Sequence, residues 1–101
     1  MKYKSRLLEL AKTDLKETAR WYNQQESGLG KRFIVEAWSK IAKITLDPMI
    51  FAVKFNETRA ALLDTFPYLI FYEIFADQKL VIISAILSSH RNPEVIKRRI
   101  V

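Results

Sequence analysis

The sequence predicts an α+β fold in which a helical hairpin lies on one antiparallel sheet, in the order β-α-α-β-β-β(-β), with a short C-terminal helix. Three observations predict it. Apolar residues recur with a period near 3.6 as far as Leu46, the period changes to two after Pro48, and the later extended segments are joined by short connections, which imply antiparallel neighbours. Helices and strands are therefore segregated along the chain, the pattern of α+β proteins.

Tyr3 to Leu10 alternates as a short edge strand, with Lys4 and Arg6 on one face and Ser5 and Leu7 on the other. Asp14 stands three residues before Glu17 as a capping box, and Leu15, Ala19 and Tyr22 follow at helical spacing, so a first helix is expected over Asp14–Gln25. Gly28-Leu29-Gly30 then reads as the tight turn of a helix hairpin. A phosphate loop would need a strand before it and further glycines after it, and neither is present. Leu29, Phe33, Ala37, Ile41 and Ile44 form the apolar stripe of a second helix, Leu29–Leu46. Ile34 and Trp38 widen that stripe, so the helix is expected to pack on the first helix and on the sheet, with Tyr22 and Trp38 in the core and Trp21 partly exposed. Asp47-Pro48 ends it, because proline cannot donate to the helix and biases the residue before it toward extended backbone.

Strands are expected at Phe51–Phe55, Arg59–Phe66, Tyr68–Phe75 and Leu80–Leu87. The last two are apolar at nearly every position, which places them centrally and covered on both faces. Asn92 as N-cap and Pro93 at the first helical position start a terminal helix over Pro93–Val101.

The 101 residues suit one domain with one core, spanning 1–101. The absence of cysteine and the single histidine exclude a disulfide scaffold, a thiolate zinc or iron–sulfur site, and any site needing several imidazoles. One histidine and scattered carboxylates offer no metal-ligand spacing, and no cofactor is expected. The apolar run Tyr68–Tyr72 falls far short of the roughly 20 residues a membrane span needs. Arg6 and Glu9 interrupt any apolar segment after Met1-Lys2-Tyr3-Lys4, so no signal peptide is read and a cytoplasmic chain is expected.

Charge is the other compositional signal: 17 Lys+Arg against 11 Asp+Glu leave +6, which favours nucleic acid or acidic proteins as partners. His90 and Arg91, then Lys97, Arg98 and Arg99, form a late basic cluster, and Lys54 and Arg59 are expected to line the same side of the sheet. That cluster is either an electrostatic footprint for RNA phosphates or a solvated tail whose cations suit a helix C-terminus. Ser88 and His90 share a face two residues apart, but no third group is in place to orient the imidazole as a base. Asp64 and Glu73, on consecutive strands, read as solvated or paired with Arg59 or Lys54 rather than as an acid/base couple.

Six phrases in order carry a resemblance over essentially the whole chain. Ala11-Lys12-Thr13-Asp14-Leu15, Trp21-Tyr22-Asn23, Gly28-Leu29-Gly30 with Phe33, Arg59-Ala60-Ala61-Leu62, Phe66 to Tyr72, and Ser89-His90-Arg91-Asn92-Pro93-Glu94 together resemble the RelE/ParE superfamily of toxins. The resemblance implies the toxin half of a type II toxin–antitoxin pair of the plasmid-stabilisation type, neutralised by a small antitoxin and meeting operator DNA only through it. RelE-like members cleave mRNA on the ribosome, which requires groups to move protons and cations to stabilise the phosphorane-like charge. The positions where the resemblance expects strand lysines hold Ala60 and Leu62, the arginine after Tyr68 is replaced by Leu69, and Ile96 stands where a tyrosine is expected.

The resemblance therefore points to the ParE-like branch, which inhibits DNA gyrase by binding, so that no catalytic residue need exist. The alternative is a ribosome-dependent endoribonuclease using Arg59, His90 and Arg91. A third reading is a degenerate toxin kept only for antitoxin binding. Candidate contacts to the target or its phosphates are Lys54, Arg59, Tyr68, His90, Arg91, Lys97, Arg98 and Arg99, and candidate antitoxin contacts are Trp21, Tyr22 and Trp38.

Overall fold

A computed structural model describes residues 2–100. Its elements run β1 (Lys4–Leu7), α1 (Glu9–Gln25), α2 (Leu29–Leu46), β2 (Val53–Phe55), β3 (Thr58–Leu62), β4 (Tyr68–Phe75), β5 (Leu80–Ser88) and α3 (Pro93–Ile100), with a 3-10 turn at Ala76–Gln78 between β4 and β5. The expected α+β order is present, and the bounds of α2 and β4 coincide with those the patterning predicts. Asn92 caps α3 as expected, its side-chain oxygen accepting the Glu94 N–H at 2.8 Å. Val101, the last residue of the expected tail helix, lies outside the described residues.

The sheet order is β1-β5-β4-β3-β2. Four strands form the expected antiparallel meander, but β1 pairs parallel to β5, so the sheet is mixed. Three expected strands are shorter: β1 ends at Leu7 rather than Leu10 because α1 begins at Glu9, only Val53–Phe55 of Phe51–Phe55 is strand, and β3 stops at Leu62 because the chain turns away through Asp64 to Pro67. The first helix starts at Glu9 rather than Asp14, with Leu8 at its N-cap and no side-chain cap. Asp14 is therefore inside the helix, free to serve elsewhere.

The hairpin turn has a steric cause. Gly28 takes φ +88°, a left-handed conformation that costs other residues energy. At Gly30 a Cβ would stand 2.2 Å from the Ala19 carbonyl oxygen, so this glycine sets how closely α1 and α2 approach. The Asn23 side chain closes the turn by accepting the N–H groups of Gly28 and Gly30 at 3.2 and 2.9 Å.

Both faces of the sheet are covered. On one, Ile70, Tyr72, Val81, Ile83 and Ile86 pack under Ala11, Leu15, Phe33, Ala37, Ile41 and Ile44 of the hairpin, and Tyr22, Phe33, Phe66 and Tyr68 form an aromatic cluster with ring centroids 4.8–6.0 Å apart. On the other, Ile96 of α3 packs with Phe71, Ala85 and Leu87. A bulge makes this possible: Phe71 pairs with Ala85 but Tyr72 pairs with Ile83, so Ser84 is an extra residue that reverses the alternation. Ile83 and Ile86, three apart, consequently face the same core.

Candidate functional site

The late basic cluster begins where β5 ends. Ser89 is tied to the β3–β4 connection by its N–H and hydroxyl, both donating to the Pro67 carbonyl at 2.8 and 3.2 Å. Ser88 then receives the next two N–H groups, His90 at its hydroxyl and Arg91 at its carbonyl, each at 3.2 Å. The Ser88 hydroxyl thus meets the His90 backbone rather than its imidazole, and the Ser/His pair is a turn. His90, Arg91, Lys97 and Arg98 are exposed, and the last two occupy the final turn of α3, where the helix dipole favours cations.

Four of the other expected cations and contacts do not join them. Arg99 is turned inward, its guanidinium forking onto the Asp14 carboxylate at 3.0 and 2.7 Å. Arg59 faces the hairpin side of the sheet, where it donates to the carbonyls of Phe51 and Met49 at 2.6 and 3.3 Å and so fastens the segment entering β2. Lys54 is exposed on the edge strand β2, three strand spacings, or about 14 Å, from β5. Tyr68 is half-buried, its ring 5.3 Å from Phe33 and 6.0 Å from Tyr22. Burial, with the neighbouring Tyr68 phenol adding to it, pushes the Tyr22 hydroxyl above its ordinary pKa.

The expected carboxylate pair is also apart. Glu73 sits on β4 opposite Ile82, whereas Asp64 lies beyond β3 and accepts from Lys40 at 3.0 Å, neither Arg59 nor Lys54 being its partner. The Lys40 ammonium holds the Asp64 carboxyl below the usual carboxylate range. Near it Glu36 accepts the N–H groups of Thr65 and Phe66 at 2.6 and 3.3 Å; partial burial raises its pKa, and these donors outweigh that and lower it.

Ala60, Leu69 and Ile96, three of the positions the superfamily resemblance singles out, converge. Ile96 is buried against Phe71, Ala85 and Leu87, and Ala60 and Leu69 pack on the same cluster. The fourth, Leu62, is 52% exposed on the rim. Where proton-moving and cationic side chains would be needed for RNA cleavage, this fold has an apolar seam sealed by α3.

The candidate partner contacts divide differently from expectation. Trp21 is exposed, its ring edge-on to Tyr22 at 5.0 Å, and Tyr22 is half-buried in the aromatic cluster. Trp38 is not core but 46% exposed, because α2 meets α1 and the sheet through Phe33, Ala37, Ile41 and Ile44 and leaves Trp38 on its flank. Two surface features escaped sequence reasoning. Leu46, Met49, Ile50 and Val53 form an exposed apolar stretch between α2 and β2, signalled only by the apolar pair directly after Pro48. Lys12 and Lys16, one helical turn apart on α1, line a groove with Trp38. Chemically, the surface offers cations over an apolar support, an arrangement for binding. No helix is long and apolar enough to cross a membrane among the described residues.

Comparison with known proteins agrees with this architecture. The chain resembles the structure of the chromosomal ParDE toxin–antitoxin system from P. aeruginosa (TM-score 0.75, 12% identity, 85% of this chain and 95% of that one). It also resembles a chain of the intact E. coli RelBE toxin–antitoxin complex (TM-score 0.68, 14% identity, 88% and 99%) and the isolated E. coli RelE toxin (TM-score 0.66, 16% identity, 95% and 97%). At these identities the likeness is one of fold. No curated protein sequence matches the chain. Residues 6–93 match the model of the ParE toxin of the type II toxin–antitoxin system parDE, and the chain thus belongs to the ParE toxin family.

Proposed function

We propose that this chain is a toxin of the gyrase-inhibiting kind, acting as a single domain by binding and neutralised by a small antitoxin. The observation that carries this reading is the apolar seam of Ala60, Leu69 and Ile96. Cleavage of RNA by its own 2′-hydroxyl needs a base, an acid and cations at the scissile phosphate, and alkyl side chains packed under a helix supply none of them. Arg59, the strand cation of the ribonuclease alternative, is engaged by two backbone carbonyls, which leaves His90 and Arg91 without it. The exposed cations act in recognition on this reading, and the +6 chain suits an acidic antitoxin, through which alone it meets operator DNA. Gyrase places the activity in the cytoplasm, and plasmid stabilisation is its natural setting.

Purified protein added to a gyrase supercoiling assay, and separately to ribosomes programmed with mRNA, tests the reading. Loss of supercoiling or gyrase-dependent DNA breaks with intact mRNA is expected. Specific mRNA cuts with normal supercoiling would overturn it in favour of the endoribonuclease, and inactivity in both assays would point to a degenerate toxin.

A further inference from the structure

Leu46, Met49, Ile50 and Val53 are 50–66% exposed where α2 passes into β2, at the edge of the sheet farthest from β1. Large apolar side chains in water are ordinary when scattered, but these adjoin one another. Leu46 is the last residue of α2, and Ile50 is folded back toward it by an N–H bond to the Asp47 carbonyl at 3.3 Å. Arg59 joins Met49 to Val53: its guanidinium lies 3.4 Å from the Met49 Sδ, and it pairs with Val53 across the β2–β3 ladder. Together the four expose on the order of 400 Å² of apolar surface, the scale at which a patch on a monomer marks an interaction site.

The backbone beneath them is fastened from inside the fold. The buried Tyr72 hydroxyl donates to the Pro48 carbonyl at 2.7 Å, and Arg59 donates to the Met49 and Phe51 carbonyls at 3.3 and 2.6 Å. Phe51 turns inward and packs on the core, with the Lys40 ammonium 5.6 Å from its ring centroid. A loop whose carbonyls are held by side chains of two strands displays its apolar residues in one fixed arrangement, which lowers the ordering cost of association.

Charge selects the occupant. Residues 43–57 carry Lys43, Asp47, Lys54 and Glu57, all exposed, so the stretch and its rim are neutral and the +6 of the chain lies entirely outside them. Nearby, Lys40 is buried and paired with Asp64, and Arg59 is directed onto its two carbonyls. A nucleic acid, an anionic membrane or an acidic segment is drawn to an excess of cations, which this face lacks. Two copies of a +6 chain repel one another over most of their surface and can meet where that excess is absent. A two-fold axis also duplicates every contact, so one pairing of Lys43 or Lys54 with Asp47 or Glu57 of the second copy becomes two. Lys54, exposed on a three-residue edge strand, opposes extension of the sheet, and the contact is one of side-chain packing.

We propose that the stretch from Leu46 to Val53 is a homodimer interface, in which two copies of the chain bury Leu46, Met49, Ile50 and Val53 against each other across a two-fold axis. The apolar patch is smaller than the roughly 800 Å² per partner of a standard stable interface, so the dimer is weak and reversible, with a Kd on the order of 10 μM.

Sedimentation velocity on the full chain between about 1 and about 200 μM tests this. The mean sedimentation coefficient should rise with concentration toward that of a dimer. Ile50→Asp should raise Kd by about ten-fold or more at an unchanged Tm, because this side chain is solvated in the monomer, whereas Ile50→Leu should leave Kd within about two-fold. Leu10→Asp, at an apolar residue 60% exposed on α1, should leave association as it is. A chain that stays monomeric throughout the range would overturn the interface. A dimer that survives Ile50→Asp, or one that Leu10→Asp weakens equally, would overturn it too. Loss of gyrase inhibition in Ile50→Asp, from a parent chain that is monomeric throughout, would assign the stretch to the target instead.

Discussion

Arg99 of α3 and Asp14 of α1 are joined by two hydrogen bonds of 3.0 and 2.7 Å, and the same carboxylate accepts the Ile86 N–H of β5 at 3.0 Å. One side chain thus links the first helix, the interior strand β5 and the last helix. The Asp14 and Arg99 side chains are only 13% and 23% exposed, so removing one leaves the other poorly solvated. Asp14→Ala is expected to cost about 3 kcal/mol, the lower end for breaking a buried pair. The double variant Asp14→Ala/Arg99→Ala should cost clearly less than the sum of the two single ones. Urea unfolding of the three variants measures this, and additive losses would mean that the pair does not act as a unit.

The two glycines of the hairpin turn separate two costs. Gly28→Ala meets open space and carries only the left-handed strain of φ +88°, about 1 kcal/mol. Gly30→Ala gains helix propensity but must push α1 and α2 apart to relieve a 2.2 Å approach to the Ala19 carbonyl. Such overpacking costs about 3 kcal/mol, less the roughly 1 kcal/mol that alanine gains in a helix. The Gly30 variant should therefore unfold at the lower urea concentration, and the opposite order would show that the helices separate freely.

Much of the architecture is legible in the sequence because it rests on local chemistry. The 3.6-residue stripe from Leu29 to Ile44 and the break at Asp47-Pro48 bound α2, a nearly continuous apolar run between Pro67 and Asp77-Gln78 bounds β4, and Asn92-Pro93 starts α3. What the sequence does not show depends on partners far along the chain. Asp14 looks like a cap because Glu17 follows three residues later, yet its partners are Ile86 and Arg99. The parallel pairing of β1 with β5 joins Lys4 to Leu80, which no turn signal announces. Trp38 extends an apolar stripe and is nonetheless exposed, because a stripe does not reveal where the neighbouring helix stops. The basic cluster scatters for the same reason: Arg59 and Arg99 find acceptors, while His90, Arg91, Lys97 and Arg98 stay on the surface.

Tyr72 gives the fold an alkaline limit. Its ring is fully buried and its hydroxyl donates to the Pro48 carbonyl at 2.7 Å. Burial, with Asp47 adding to it and Arg59 opposing, pushes its pKa up to about 12 from 10.0. The unfolded chain ionises this phenol first, so its contribution to stability is whole below pH 10 and is lost as pH rises toward about 12. Tyr72→Phe should lose about 1 kcal/mol at neutral pH with the hydrogen bond and show a flatter fall of Tm with pH in the alkaline range. A slope unchanged by the substitution would mean that other phenols set the limit.

Surface cations and structural cations should respond oppositely to removal. Arg59→Ala breaks two hydrogen bonds from a guanidinium to backbone carbonyls and leaves those carbonyls short of a donor, so about 2 kcal/mol of stability should go. Arg91→Ala, Lys97→Ala and Arg98→Ala remove exposed charges for which no ion pair occurs among the described residues, and each should change stability by less than about 0.5 kcal/mol. If these cations form the target-binding face, the triple variant should inhibit gyrase about ten-fold less strongly at an unchanged Tm, with weaker dependence on salt because fewer charges meet the target. Thermal denaturation and supercoiling inhibition over a salt series separate the two classes. A triple variant as inhibitory as the parent chain would move the target-binding face away from α3 and toward the exposed stretch of Leu46, Met49, Ile50 and Val53.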